Sequence, residues 1–204
     1  MNRWKRISLL IVFTLIFGII AFFHESRLVK WIDNEVYEFI YSSESFITTS
    51  IMLGATKIGE VWAMVTLSLI LVAYLMIKRY RIEMLFFALV MSLSSILNPI
   101  LKNIFDRERP TLLRLIDISG FSFPSGHAMG STSFFGSAIY ILNRHGSGLS
   151  KGVLIGLCAL FILLISTSRV YLGVHHPTDI IAGIIGGAFC IVLSTFILRK
   201  QLVV

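Results

Sequence analysis

Charged residues are scarce in this chain. They make up 14% of its 204 residues, against 56% that are hydrophobic, whereas soluble domains carry about 25% charge. The shortage excludes an ordinary water-soluble fold, because too little polar sequence remains to cover a surface. Cysteine is almost missing. Cys158 and Cys190 are the only two, and both fall inside apolar runs, so packed free thiols are expected rather than a disulfide framework. Repeats, low-complexity tracts and linker-like stretches are absent, and one domain over residues 1–204 is expected. No polar segment gathers bases into the single face that nucleic acid requires, so the +7 formal charge excludes that partner class.

Long apolar runs take the place of polar sequence. A membrane-spanning helix needs about 17 to 25 such residues. Runs of this kind lie at 7–23, 58–77, 82–104, 128–142, 152–167 and 178–198, the fourth and fifth being short. They predict an all-α integral membrane protein with six transmembrane helices. The basic start "MNRWKR" resembles a signal peptide, but its apolar run lacks an A-x-A-like cleavage site and reads as an uncleaved span. Between the first two runs, residues 24–57 place Leu28, Ile32, Val36, Phe39 and Ile40 at helical spacing with aromatic neighbours, which predicts an interfacial helix. Gly152/Gly156 and Gly183/Gly187 have the spacing of close helix packing.

Orientation follows from the bases. With the N-terminus inside, the inner segments hold 10 of the 18 Lys and Arg, which predicts cytoplasmic termini in a multi-pass cell-membrane protein. Two outer loops then emerge on one face. One runs from "KNIFDRERP" to "FSFPSGH", the other is "SRVYLGVHHPTD". Together they bring Lys102, Arg109, Ser125, Gly126, His127, Arg169, His175 and Asp179 to the extracytoplasmic surface.

That set suits phosphate. Three fixed cations, two with the planar fork of arginine, make an anion site. "PSGH" opens a helix whose first N–H groups can face a phosphate, and Gly126 lets that backbone come close. Two histidines on separate loops can divide nucleophilic attack from proton transfer. Pro177 favours a helix starting there, so Asp179 falls in the first turn, near both His175 and His176. Spacing alone does not choose between the two.

Three motifs, K-x6-R-P, P-S-G-H and S-R-x5-H-x3-D, occur here in this order. With them the sequence resembles the type-2 phosphatidic acid phosphatase superfamily, and within it bacterial membrane lipid phosphatases of the phosphatidylglycerophosphate phosphatase B group. The resemblance implies that His175 is the nucleophile, forming a phosphohistidine, and that Asp179 orients it. It implies that His127 is the general acid and then the base. Lys102, Arg109 and Arg169 would hold the phosphate, assisted by Ser125 and Gly126, with Ser168 structural and His176 a neighbour.

The expected substrate is a lipid phosphate, with phosphatidylglycerophosphate first and undecaprenyl diphosphate or phosphatidic acid behind it. Metal ligation would need clustered carboxylates or histidines, and "DRE" with "HH" is a thin set, so neither metal nor cofactor is expected. Asp106, Arg107, Glu108, Arg114 and Asp117 read as solvated or loop-pairing charges, and His24 and His145 as surface residues. A phosphotransferase could use the same phosphohistidine with an acceptor other than water. A transporter would carry its charges mid-span, and here they gather at span ends.

Overall fold

A computed structural model describes residues 2–111 and 114–202. Regular structure among them is helical. In chain order the helices are α1 (Arg3–Phe23), α2 (Arg27–Tyr41), α3 (Phe46–Ile58), α4 (Val61–Ile77), α5 (Arg81–Phe105), α6 (Gly126–His145), α7 (Gly148–Tyr171), α8 (Pro177–Ile197) and the short α9 (Arg199–Leu202). Side chains of Asn2, Ser26, Ser45 and Ser125 cap α1, α2, α3 and α6 by accepting from the third backbone N–H beyond them. Pro177 begins α8, as its fixed φ favours.

Among the described residues four helices, α1, α5, α7 and α8, are long and apolar enough to cross a bilayer, and α3 with α4 forms a pair that passes together but bends by 58°. The chain is thus a multi-pass membrane protein. Leu15, Ile19, Leu69, Ile96, Leu160 and Leu163 point outward and exposed, as lipid-facing side chains do. Cys190 is buried and Cys158 half-buried, both as free thiols.

Two segments differ from the sequence expectation. Residues 24–57 form two helices, α2 and most of α3, rather than one. The apolar run expected from residue 58 starts as a helix only at Val61, because Gly59 ends α3 and Glu60, in extended backbone, caps α4. On α2 the predicted apolar stripe is real, but Leu28, Trp31, Ile32 and Phe39 face outward while Asp33 is buried.

Helix α6 covers the expected fourth run and extends it to 20 residues, about 30 Å at 1.5 Å per residue. Its length suffices to span, yet its composition does not qualify it. The reason is its position among α5, α7 and α8. Ser131, Ser133 and Ser137 are fully buried, and Ser131 and Ser137 donate back to carbonyls of their own helix. A helix lined by neighbours need not be apolar all round. Glycines of α8 permit the closest approach. A Cβ at Gly183 would stand 2.7 Å from Ser125 O, and one at Gly187 2.7 Å from Thr132 Cβ. Among the described residues Gly152 and Gly156 on α7 meet nothing within 4 Å, so their matching spacing packs no described helix.

Candidate active site

The outer ends of α5, α6, α7 and α8 converge, and the loops between them are tied by backbone bonds. Ser125 N–H donates to Asp179 O at 3.0 Å, joining the first turns of α6 and α8. His175 N–H donates to Arg169 O at 3.2 Å, folding the second loop back onto α7. Ser168 donates to Ile165 O within α7, a structural contact.

His175 lies in that loop, 2% exposed. Its Nδ1 donates to Asp179 Oδ2 at 3.3 Å, which fixes the tautomer and leaves Nε2 unprotonated, as an acceptor facing the cavity. Arg109 Nη1 approaches that Nε2 at 3.3 Å. Burial, followed by the charges of Arg109 and Lys102, pushes the His175 imidazole down to about 4 even though Asp179 opposes it. The ring is therefore neutral near pH 7, the form a nucleophile requires.

Asp179 is fully buried and accepts three bonds. Arg107 Nη1 donates to Oδ1 at 2.7 Å; His176 N–H donates to Oδ2 at 2.9 Å beside the His175 contact. His176 reaches Asp179 through its backbone, whereas His175 reaches it through its ring.

Positive charge surrounds the unprotonated Nε2 of His175, which accepts from Arg109. Arg109 is held in the loop by the carbonyls of Ser119, Gly120, Phe121 and Val174. Lys102, in the last turn of α5, donates to Phe121 O and Ser122 O. Arg169 is 1% exposed and donates to Thr56 Oγ1 of α3, while its Nε has no partner. These three cations, with Gly126, His127, His175, Glu60 and Asp117, line a cavity of about 400 Å³. Ser125, fully buried, caps the helix that carries Gly126 and His127, and the fully buried Asp179 lies behind His175. Among the described residues no three His, Cys, Asp or Glu side chains are grouped to hold a metal ion.

His127 follows the cap of α6, and its Nε2 is buried without a hydrogen-bond partner. The elbow between α3 and α4 presses on its ring, since a Cβ at Gly59 would stand 2.6 Å from His127 Cδ2. A second cavity of about 630 Å³ begins at Gly126 and His127 and runs between α4 and α5 past Val61, Val65, Leu69 and Met91. The two cavities thus share His127.

Residues 83–202 match the PAP2 superfamily. The chain belongs to it. Phosphatidylglycerophosphatase B of Bacillus subtilis (strain 168) is 35% identical over 138 residues, a stretch covering 65% of this chain and 66% of that protein. This chain is therefore homologous to a phosphatase of the PAP2 superfamily. The crystal structure of a transmembrane PAP2-type phosphatidylglycerolphosphate phosphatase from Bacillus subtilis superposes with a TM-score of 0.82 at 28% identity, covering 97% of each chain. LpxE of Aquifex aeolicus shares the fold at 23% identity, with a TM-score of 0.66 over 78% of this chain and 92% of its own.

Several residues of this PAP2 site carried no sequence signal. Arg107, expected as a solvated or loop-pairing charge, is 3% exposed. It bridges Asp179 and Asp33, donating to Asp33 Oδ2 at 2.8 Å and to Thr178 Oγ1 at 2.9 Å. Asp33, from α2, also accepts from Thr178 N–H and Thr178 Oγ1, both at 2.9 Å. Glu60 reaches the cavity from the elbow. His24, expected at the surface, stacks on Phe123 at 5.6 Å with only 12% of its side chain exposed. His145 is exposed as expected, and there it stacks on Tyr80 at 4.0 Å and bonds to Glu83 at 2.8 Å.

Proposed function

We propose that this protein is an integral membrane lipid phosphate phosphatase working through a phosphohistidine on His175. The observation that carries the reading is the junction at His127. A cationic cavity of about 400 Å³ holds both histidines, and an apolar cleft of about 630 Å³ leads away from one of them. A phosphate with a hydrocarbon tail fits that pair of spaces, head in the first and chain in the second.

Arg109, Lys102 and Arg169 take the phosphoryl oxygens, with Ser125 and Gly126 shaping the helix start beneath. His175 Nε2 attacks phosphorus while Asp179 keeps the proton on Nδ1. The P–O bond to the lipid breaks as His127 donates a proton to the departing oxygen. His127 then takes a proton from water, the water attacks the phosphohistidine, and phosphate leaves. Catalysis in such a transfer is chiefly positioning and charge stabilisation.

The names of the Bacillus subtilis relatives favour phosphatidylglycerophosphate as substrate, with undecaprenyl diphosphate and phosphatidic acid as further members of the class. The whole chain forms one catalytic unit crossing the membrane six times, with α6 the central span and α3–α4 the bent one. Its termini are cytoplasmic, α2 lies in the outer interface, and the cavity faces away from the cytoplasm. Purified protein in detergent should release inorganic phosphate from phosphatidylglycerophosphate without added divalent ion and in the presence of EDTA. No release from any lipid phosphate, or release abolished by chelator and restored by one divalent ion, would overturn the mechanism.

A further inference from the structure

Glu60 is an acid where an anion binds. Its side chain is 40% exposed and it lines the cavity shared by Lys102, Arg109 and Arg169. Although it caps α4, its carboxylate makes no cap hydrogen bond. Among the described residues it has no ion pair with Lys or Arg within 4 Å, although the Arg169 guanidinium is near enough to attract it, and its closest titratable contact is His127, whose Nε2 lies 3.7 Å from Oε1. That separation is too long for a hydrogen bond. The residues on either side of it, Gly59 and Val61, line the apolar cleft. Glu60 therefore stands at the neck between the two cavities.

A carboxylate there repels phosphate oxygens, so holding the reacting phosphate is not its use. In-line displacement puts the nucleophile and the leaving group on opposite sides of phosphorus. With His175 attacking, the departing oxygen lies toward His127, and Glu60 is on that same side. The atoms it meets are the first atoms of the leaving group. A carboxylate accepts hydrogen bonds from a hydroxyl and opposes another anion.

We propose that Glu60 selects the leaving group. It favours lipid phosphate monoesters whose departing alcohol carries a hydroxyl beside the scissile oxygen, as the glycerol headgroup of phosphatidylglycerophosphate does. It disfavours lipid diphosphates, whose leaving group is itself a phosphate anion. This rests on the lipid phosphatase reading above.

The test compares kcat/KM for three substrates in mixed micelles: phosphatidylglycerophosphate, its analogue lacking the middle headgroup hydroxyl, and a polyprenyl diphosphate. In wild type the hydroxylated monoester should exceed the deoxy analogue by about 10-fold to 100-fold, the range for a hydrogen bond to a charged group. Glu60→Ala, which removes the acceptor, should collapse that ratio toward one. Glu60→Gln, which removes only the charge, should raise diphosphate turnover relative to the deoxy monoester by about tenfold or more. Equal losses on all three substrates in both variants would overturn the proposal and assign Glu60 to supporting His127. If wild type hydrolyses none of the three, the phosphatase reading itself fails, which is a different result from unchanged ratios in an active enzyme.

Discussion

Asp33→Asn is the substitution that most directly tests how His175, the proposed nucleophile, is held. Asp33 lies on α2 and touches no part of the phosphate cavity, yet its carboxylate is 2.8 Å from Arg107 Nη2, and Arg107 Nη1 is 2.7 Å from Asp179 Oδ1. The three side chains are 1%, 2% and 0% exposed, so solvent cannot replace a missing partner. Asparagine preserves the shape but removes the charge and turns an N–H₂ toward donors that Asp33 now satisfies. Removing one partner of a buried pair costs about 3 to 5 kcal/mol. Because Arg107 keeps Asp179, the loss should sit at the low end, about 3 kcal/mol, or roughly 6 to 12 °C in unfolding midpoint for a chain this size. Arg107 would then draw Asp179 away from His175, so kcat should fall about tenfold or more while KM changes little. The assay is a double-mutant cycle of Asp33→Asn and Asp179→Asn, read by phosphate release and by thermal unfolding in detergent. Sharing Arg107 should couple the two changes by about 0.5 to 3 kcal/mol. Additive losses would mean that α2 does not help position the nucleophile, and a wild-type kcat in Asp33→Asn would sink the reasoning outright.

Four further outcomes follow from the same geometry. His175→Ala should abolish turnover and any trapped phosphoenzyme. His176→Ala should stay active, because His176 holds Asp179 through its backbone N–H at 2.9 Å; a dead His176→Ala would reverse the assignment. Gly59→Ala should cost about 1 to 3 kcal/mol of stability and lower kcat, since its new methyl would meet His127 and Ile165 at 2.6 Å, whereas Gly54→Ala, with nothing within 4 Å, should do neither. Titration gives the last. An unfolded histidine titrates near 6.5 and His175 at about 4. Between those values the unfolded chain binds the extra proton, so stability is fully present above about 6.5 and falls as pH drops toward 4. Between pH 7 and pH 5 the wild type should lose about 2 kcal/mol more stability than His175→Gln does; equal losses in both would show that His175 does not titrate in this window.

The part of the site legible in the sequence is the part written in local patterns. Ser125 capping α6 and Pro177 opening α8 announce helix starts by their own chemistry, and they carry His127 and Asp179 with them. Lys102, Arg109, Arg169 and His175 stand out because a charge beside an apolar run needs a reason. Asp33 and Arg107 had no such mark. An acid on an amphipathic helix and one more arginine in a charged loop look like surface residues, and their meaning comes from a contact between positions 145 apart, Asp33 and Thr178. Glu60 was missed for a different reason: the apolar run around it hid the elbow that aims it inward. The central helix α6 was found but under-described, since its serines weaken the apolar signal in a helix whose neighbours make that harmless.

The cleft between α4 and α5 is edged by exposed Val61, Val65 and Leu69, side chains that would face acyl chains rather than water. A substrate entering there arrives by two-dimensional diffusion, and the concentration that governs turnover is its mole fraction among neighbouring lipids. Diluting that substrate with inert lipid should slow the enzyme even when its molarity in the tube is held constant. Adding more vesicles of the same composition should leave the rate per enzyme unchanged. A water-soluble phosphate obeys neither rule, because it reaches the same histidines from the other side.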